Sequence, residues 1–291
     1  MDFEQFVSDI KDNGWNVYGA EVYRDGELIH SYADTTEGIY EIYSATKAVT
    51  SIAVGIAYDR GLIDLDACIL NYLPKEKTAN LSPKQRNTFE KITVRRLLTM
   101  SVAGFPFRPE GRHYLDFALA CDIANPEEPV FAYSNIPTYL VCVALQEIFR
   151  EDLGDFIVKN ILNPLGIHKF EYGRSPEGIF YGASKMKLTV NEFSRIGLLM
   201  MNKGVFNGQR IISEEYVTLA TSVQQPNKEG GYGFYFWKYR NGFSINGKLK
   251  QKCYCLPEEN LMVSYLANIT DDSHDLLLSM ERNILGLHAQ A

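Results

Sequence analysis

Apolar residues recur at helical spacing over the first twelve positions (Phe3, Phe6, Val7, Ile10) and stop at Asn13-Gly14, which predicts a helix over 3–12. Two further runs, Trp15 to Val22 and Glu27 to Tyr32, flank Arg24-Asp25-Gly26. Asp-Gly supplies the positive φ that a tight hairpin turn needs, so these runs read as paired strands. From Ala48 to Ala57 the chain is apolar nearly all round, through Val49, Ile52, Ala53, Val54 and Ile56, before Asp59-Arg60-Gly61. That is the mark of a buried helix. Residues 61–180 read as mostly helical with irregular loops. Leu62 to Leu73 ends at Pro74, Thr93 to Met100 is short, and Pro137 to Arg150 carries Tyr139, Leu140, Val143, Ala144 and Ile148 on one face. Asp155 to Leu162 is stopped by Asn163-Pro164-Leu165-Gly166. A helix resumes over Leu188 to Lys203, capped by Thr189 or Asn191, and Ser213 caps another through Val217 and Ala220.

From Tyr232 the period changes. Gly233 to Tyr239, Phe243 to Ile245, Lys252 to Leu256 and Leu261 to Ala267 read as strands, and Asp275 to Leu287 closes the chain as a helix. Strands at both ends with helices between predict an α+β fold: an antiparallel sheet flanked by the N- and C-terminal helices, with a mostly helical subdomain inserted. Residues 1–60 and 181–291 are expected to form the sheet subdomain and 61–180 the helical one, as one structural unit.

Composition narrows the function classes. The chain has 291 residues, 46% hydrophobic, enough to bury a large core, and a net charge of −7. That charge offers no general attraction to nucleic acid or to anionic membranes. No apolar run reaches spanning length, and the acidic N-terminal stretch lacks the basic and apolar regions of a signal peptide, so a cytoplasmic location is expected. The five cysteines are scattered and odd in number, which favours reduced buried thiols. No Cys or His pair recurs at zinc-ligand spacing, and neither His-Glu-x-x-His nor Gly-x-Ser-x-Gly occurs. Neither a metal nor an organic cofactor is expected.

The candidate chemistry sits at the mouth of the buried helix, in Ser44-Ala-Thr-Lys47. Residues three apart on a helix share a face, so the two side chains meet one turn apart. Lowering a lysine from about 10.4 to near 7 takes roughly 4–5 kcal/mol, within reach of burial, and makes it a base able to activate a serine. The spacing alone means little: Ser8-x-x-Lys11 and Ser184-x-x-Lys187 repeat it. Only Ser44 heads an apolar helix. A capping serine with a snorkelling lysine is the bland reading. The second candidate, Tyr133-Ser134-Asn135, precedes Pro137. It is either a routine helix cap or a phenol able to move a proton beside an amide able to hold Lys47 and a substrate carbonyl. Gly242 to Leu249 nearly matches a phosphate-binding loop, but Leu249 replaces the magnesium-binding hydroxyl and the stretch lies between strands.

Taken in order, the motifs resemble the serine β-lactamase and penicillin-binding-protein superfamily, on the branch of the class C β-lactamases and related esterases. Ser44-x-x-Lys47 is followed by Leu97-Leu-Thr-Met-Ser-Val-Ala-Gly104, Tyr133-Ser-Asn135 and Asn163-Pro-Leu-Gly166. After these come Gly182-Ala-Ser184, Thr189 to Arg195, Asn207-Gly208-x-x-Ile211-Ile212-Ser213 and Gly231 to Trp237. The resemblance runs from about residue 15 to 270 and implies the same fold. It implies Ser44 as acylated nucleophile, Lys47 as its base, Tyr133 as proton shuttle and Asn135 as the residue positioning lysine and substrate. It also implies a Lys-Thr-Gly-like motif on the strand edging the site, for which Lys248-Leu249-Lys250 before Gln251 is the nearest equivalent. Lys248 would hold a substrate carboxylate, a strand N–H near Gln251 would help bind the oxyanion, and Lys250 stands where glycine is expected. The reading is a serine hydrolase acting on a small-molecule ester, amide or β-lactam. The alternatives are a degenerate binding or sensor protein, motivated by Lys250 and Cys253-Tyr-Cys255, and a D-alanyl-D-alanine peptidase or D-amino-acid amidase.

Overall fold

Asp25 and Gly26 both take positive φ, 52° and 82°, and close the expected hairpin between β1 (Val17–Arg24) and β2 (Glu27–Tyr32). The other edge of β1 pairs with a strand near the far end of the chain, with Ala20 opposite Tyr265 and Val22 opposite Val263. In the computed structural model, which describes residues 1–287, four more strands complete the sheet. They are β3 (Trp237–Tyr239), β4 (Gly242–Gly247), β5 (Gln251–Leu256) and β6 (Leu261–Ala267). The six strands lie in the order β2-β1-β6-β5-β4-β3, every neighbouring pair antiparallel. This is the α+β arrangement that the pattern predicts.

Alternation along the strands sorts the two faces. Ala20, Val22, Val263, Tyr265, Tyr254 and Leu256 pack outward against α1 (Phe3–Asp12) and α5 (Asp275–Asn283), which contribute Phe6, Ile10, Leu276 and Met280. Met262, Leu266, Cys253, Cys255, Phe243 and Ile245 face the larger core. That core holds α2 (Thr46–Asp59), α3 (Ile136–Phe149) and α4 (Val190–Met201). Thr189, not Asn191, caps α4, in a reciprocal capping box with Glu192. Ser213 caps Glu214–Thr221 as expected.

Three expectations change. Leu62 to Leu73 is not a helix: only Ile69–Tyr72 forms a 3-10 turn. Asp64 accepts the Asp66 N–H (2.9 Å), and Ile69 N donates to Ile92 O (2.9 Å), so side-chain and tertiary partners outbid the helical ladder. The strand expected from Gly233 shrinks to Trp237–Tyr239, because Tyr235 takes φ 72°. Three two-residue strands, Tyr40–Glu41, Lys187–Leu188 and Phe170–Glu171, make a small second sheet too short to leave a period in the sequence. Tyr40–Glu41 sits immediately before Ser44 and fixes how the chain enters α2. All five cysteines are free, and Cys253 and Cys255 share a face of β5 with their sulfurs 3.8 Å apart.

Candidate active site

Ser44 lies in a 3-10 turn, Tyr43–Ala45, that feeds directly into α2. Tyr43 before it has φ 47°, a conformation few side chains tolerate, so the turn presents Ser44 at some local cost. The turn is held from both sides: Ile42 N donates to Met186 O (2.9 Å), and the Thr46 hydroxyl donates to Tyr43 O (2.7 Å). Ser44 is half-buried, whereas Lys47 one turn deeper is 1% exposed.

A lysine there must find partners. The Lys47 ammonium donates to Asn135 Oδ1 (2.7 Å), to the Ala183 carbonyl (2.8 Å) and to Ser44 Oγ (3.3 Å). All three acceptors are neutral, and no carboxylate pairs with it among the described residues. Burial without a counter-charge pulls its pKa from the usual lysine value of 10.5 down to about 7. Its nitrogen also lies 4.9 Å from the centre of the Tyr133 ring. Burial pushes the Tyr133 phenol up to about 12, and the nearby Ser44 hydroxyl opposes that rise. Near neutral pH the Lys47 amine is therefore partly unprotonated, and it and a protonated phenol flank one hydroxyl. This is the pairing an assisted nucleophile needs.

Asn135 occupies the cap position of α3 but makes no capping hydrogen bond; Ser134 Oγ accepts the Ile136 N–H instead (3.1 Å). Ser134 also donates to Pro106 O (2.6 Å), and Asn135 N donates to Phe107 O (2.7 Å), so the loop through Pro106 and Phe107 docks the segment. The capping reading holds for Ser134 and not for Asn135, whose carboxamide is turned to Lys47. Ser44, Lys47, Tyr133 and Asn135 are thus brought together from two separate stretches.

Lys248, Lys250 and Gln251 are not part of that group. Lys248–Lys250 is a tight turn beyond the end of β4, with Leu249 and Lys250 at φ 61° and 68°. Lys250 Nζ donates to Ser273 O (2.6 Å), and Lys248 is exposed. The Gln251 side chain is buried inside the turn, donating to the carbonyls of Lys248, Leu249 and Ala267 and accepting from Ala267 N (3.0 Å). The strand that approaches the Ser44 turn is β4, and its glycine is Gly247. A Cβ on Gly247 would overlap the Ile42 carbonyl oxygen, so a close approach, not a positive φ, demands glycine there. Lys250 does not stand at that close approach, contrary to expectation: the residue there is Gly247, three positions earlier.

Two further contributors lie in Gly182-Ala183-Ser184 and Gly231 to Trp237, stretches whose sequence resembles the family but shows no role for either residue. The Ala183 carbonyl lies in Gly182-Ala183-Ser184 and holds Lys47 through backbone, which leaves no side-chain signal. Trp237 stacks on Tyr133 (centroids 5.6 Å apart) and meets Tyr232 edge-on (4.8 Å) and Phe131 (5.8 Å), making an aromatic wall beside the site.

Residues 16–282 match the family model described as Beta-lactamase, and the chain belongs to that family. An uncharacterized protein of Alkalihalophilus pseudofirmus is 24% identical over 225 residues, which are 68% of this chain and 60% of that protein's length. Among solved structures, a putative 6-aminohexanoate-dimer hydrolase from Bacillus anthracis superposes with a TM-score of 0.79 at 17% identity, over 96% of this chain and 80% of that one. A family VIII carboxylesterase superposes with a TM-score of 0.77 at 14% identity, over 98% and 96% of the two chains. These identities speak to the fold. Among the described residues no helix is long and apolar enough to cross a membrane.

Proposed function

We propose that the protein is a serine hydrolase that acylates Ser44 and releases the acyl group to water. The observation that carries this is the buried Lys47 amine, lacking any counter-charge and 3.3 Å from Ser44 Oγ. The Ser44 proton passes to the Lys47/Tyr133 pair as Oγ bonds to the carbonyl carbon of an ester or amide. The oxyanion is taken by backbone N–H groups of Ser44 and of the β4 end near Gly247, in place of one near Gln251. Tyr133 then protonates the leaving oxygen or nitrogen as its bond to the carbonyl carbon breaks. In the second half, water gives a proton to the same pair, adds to the acyl carbon, and Ser44 leaves with a proton restored. The carboxylesterase and the dimer hydrolase among the similar folds support the ester and amide reading.

A peptidase for D-alanyl-D-alanine needs a cation for the terminal carboxylate, and Lys250 is tied to Ser273 O on the turn after β4, which weighs against that role for it. The degenerate-sensor alternative loses its motive at Lys250 for the same reason. The expected outcome is hydrolysis of short p-nitrophenyl esters, with activity lost in Ser44→Ala. Intact-protein mass spectrometry after exposure to a fluorophosphonate should place one adduct on the Ser44 peptide. Full esterase activity in Ser44→Ala protein would sink the reading.

A further inference from the structure

On the outer face of the sheet, opposite the face that carries α2, lies a cleft of about 400 Å³ between β4, β5 and the segment from Ile269 to Leu277. Tyr254 and Tyr265 form its floor, and Ile269 and Leu276 make one apolar wall. Two polar side chains on that floor lack partners. Lys252 of β5 sits directly opposite Asn246 of β4. Lys252 is half-buried, with no carboxylate in salt-bridge range among the described residues. Asn246 Oδ1 is buried and accepts no hydrogen bond. Such groups cost stability unless something meets them. Rotation of the Asn246 amide would present Nδ2, so the carboxamide can also donate. Burial pulls the Lys252 ammonium down to about 8, against the nearby Glu229 carboxylate, so a bound anion would restore its charge.

We propose that this cleft is a second binding site, separate from Ser44, for an organic carboxylate with an aromatic or branched apolar body. The carboxylate meets Lys252 and Asn246, and the body lies over Tyr254, Tyr265 and Leu276. A single charge fits better than two. Glu229, Asp271 and Asp272, exposed at the rim, offset three of the four lysines that line the cleft (Lys238, Lys248, Lys250 and Lys252) and leave a single net positive charge. The volume is within the range of small-molecule sites, about 300–1,000 Å³.

Calorimetric titration of the full chain tests this, with 2-naphthoate, its uncharged analogue 2-naphthamide and inorganic phosphate as probes. One naphthoate site is expected, with naphthamide and phosphate each about tenfold weaker or worse. Lys252→Met should weaken naphthoate by about tenfold, Lys252→Arg should stay within about threefold, and Ser44→Ala should bind as wild type. In the unaltered protein, naphthoate should also slow acetylation of Lys252 mapped by mass spectrometry, which serves if Lys252→Met does not fold. No naphthoate binding at millimolar concentration, equal binding of the amide, tighter binding of phosphate, loss of binding in Ser44→Ala, or unprotected Lys252 would each overturn the proposal.

Discussion

Two buried polar clusters in this fold, one around Glu21 and one around Lys47, differ in what borders them. Under the sheet, Glu21 of β1 is fully buried and accepts from Ser194 Oγ (2.6 Å), Tyr23 OH (2.9 Å) and Asn191 Nδ2 (3.2 Å). Ser264 of β6 completes the cluster with a 2.5 Å contact to Ser194. Every member sits on or beside a regular strand or helix, in ordinary backbone geometry, with nothing open to solvent but part of Asn191. The Lys47 cluster has as many hydrogen bonds, yet its outer member, Ser44, is half-buried on a turn whose preceding residue has φ 47°. Burial of a charge therefore does not mark a reactive centre by itself. What sets Lys47 apart is its tie to a partly open hydroxyl on a strained turn, the feature on which the proposed reaction rests.

The contrast can be broken most forcefully at the two charges themselves. Lys47→Met should lower kcat/KM for p-nitrophenyl esters by about 10³-fold or more, with only a modest loss of stability from the Asn135 and Ala183 oxygens left unpaired. Glu21→Ala should do the reverse: cost about 3 kcal/mol of stability in urea titration, by leaving hydroxyls unpaired, while the activity of the folded fraction is kept. Loss of activity without loss of stability in Glu21→Ala would erase the distinction.

Gly247→Ala tests whether β4 is the wall of the site. The new methyl group forces strand and Ser44 turn apart at Ile42, so kcat/KM should fall about 10²-fold for a displacement near 1 Å. Next is pH. The working form of Lys47 is the neutral amine, and its pKa is lowered to about 7, so activity is present above pH 7 and is lost as pH falls through it. Between pH 8 and 6, kcat/KM should drop about tenfold for a single titrating base. A limb at the ordinary lysine value would sink the role given to Lys47. The smallest effect is expected at Lys250→Ala, less than about twofold, because that side chain is tied to Ser273 beyond the turn.

What could be read in advance follows the range of the forces involved. The Asp25-Gly26 hairpin, the buried α2 and the order of motifs around Ser44 and Tyr133 are local, and each is visible in a few consecutive residues. Asn135 was legible as a residue type but not as a role: cap and lysine-holder look alike until Lys47, 88 positions earlier, is seen at 2.7 Å. Gly247 was missed because its reason is the Ile42 carbonyl, a neighbour some two hundred residues away in the chain. Counting from a motif put the glycine at Lys250; only the approach of two backbones puts it at 247. Leu62 to Leu73 failed for a related cause, since apolar spacing was outweighed by the pairing of Ile69 with Ile92.

The pairing of β1 with β6 has a bearing on how the chain comes off the ribosome. Val22 waits for Val263, about 240 residues later, and at about 5–20 residues per second that is tens of seconds of synthesis. Through that interval the β1–β2 hairpin has a free inner edge, and the Ser44 turn has no β4 beside it. Closing a loop of that length comes late and slowly, so the nascent protein should lean on chaperones that shield strand edges. Ser44 is thus synthesised well before β4, the strand that comes to border it.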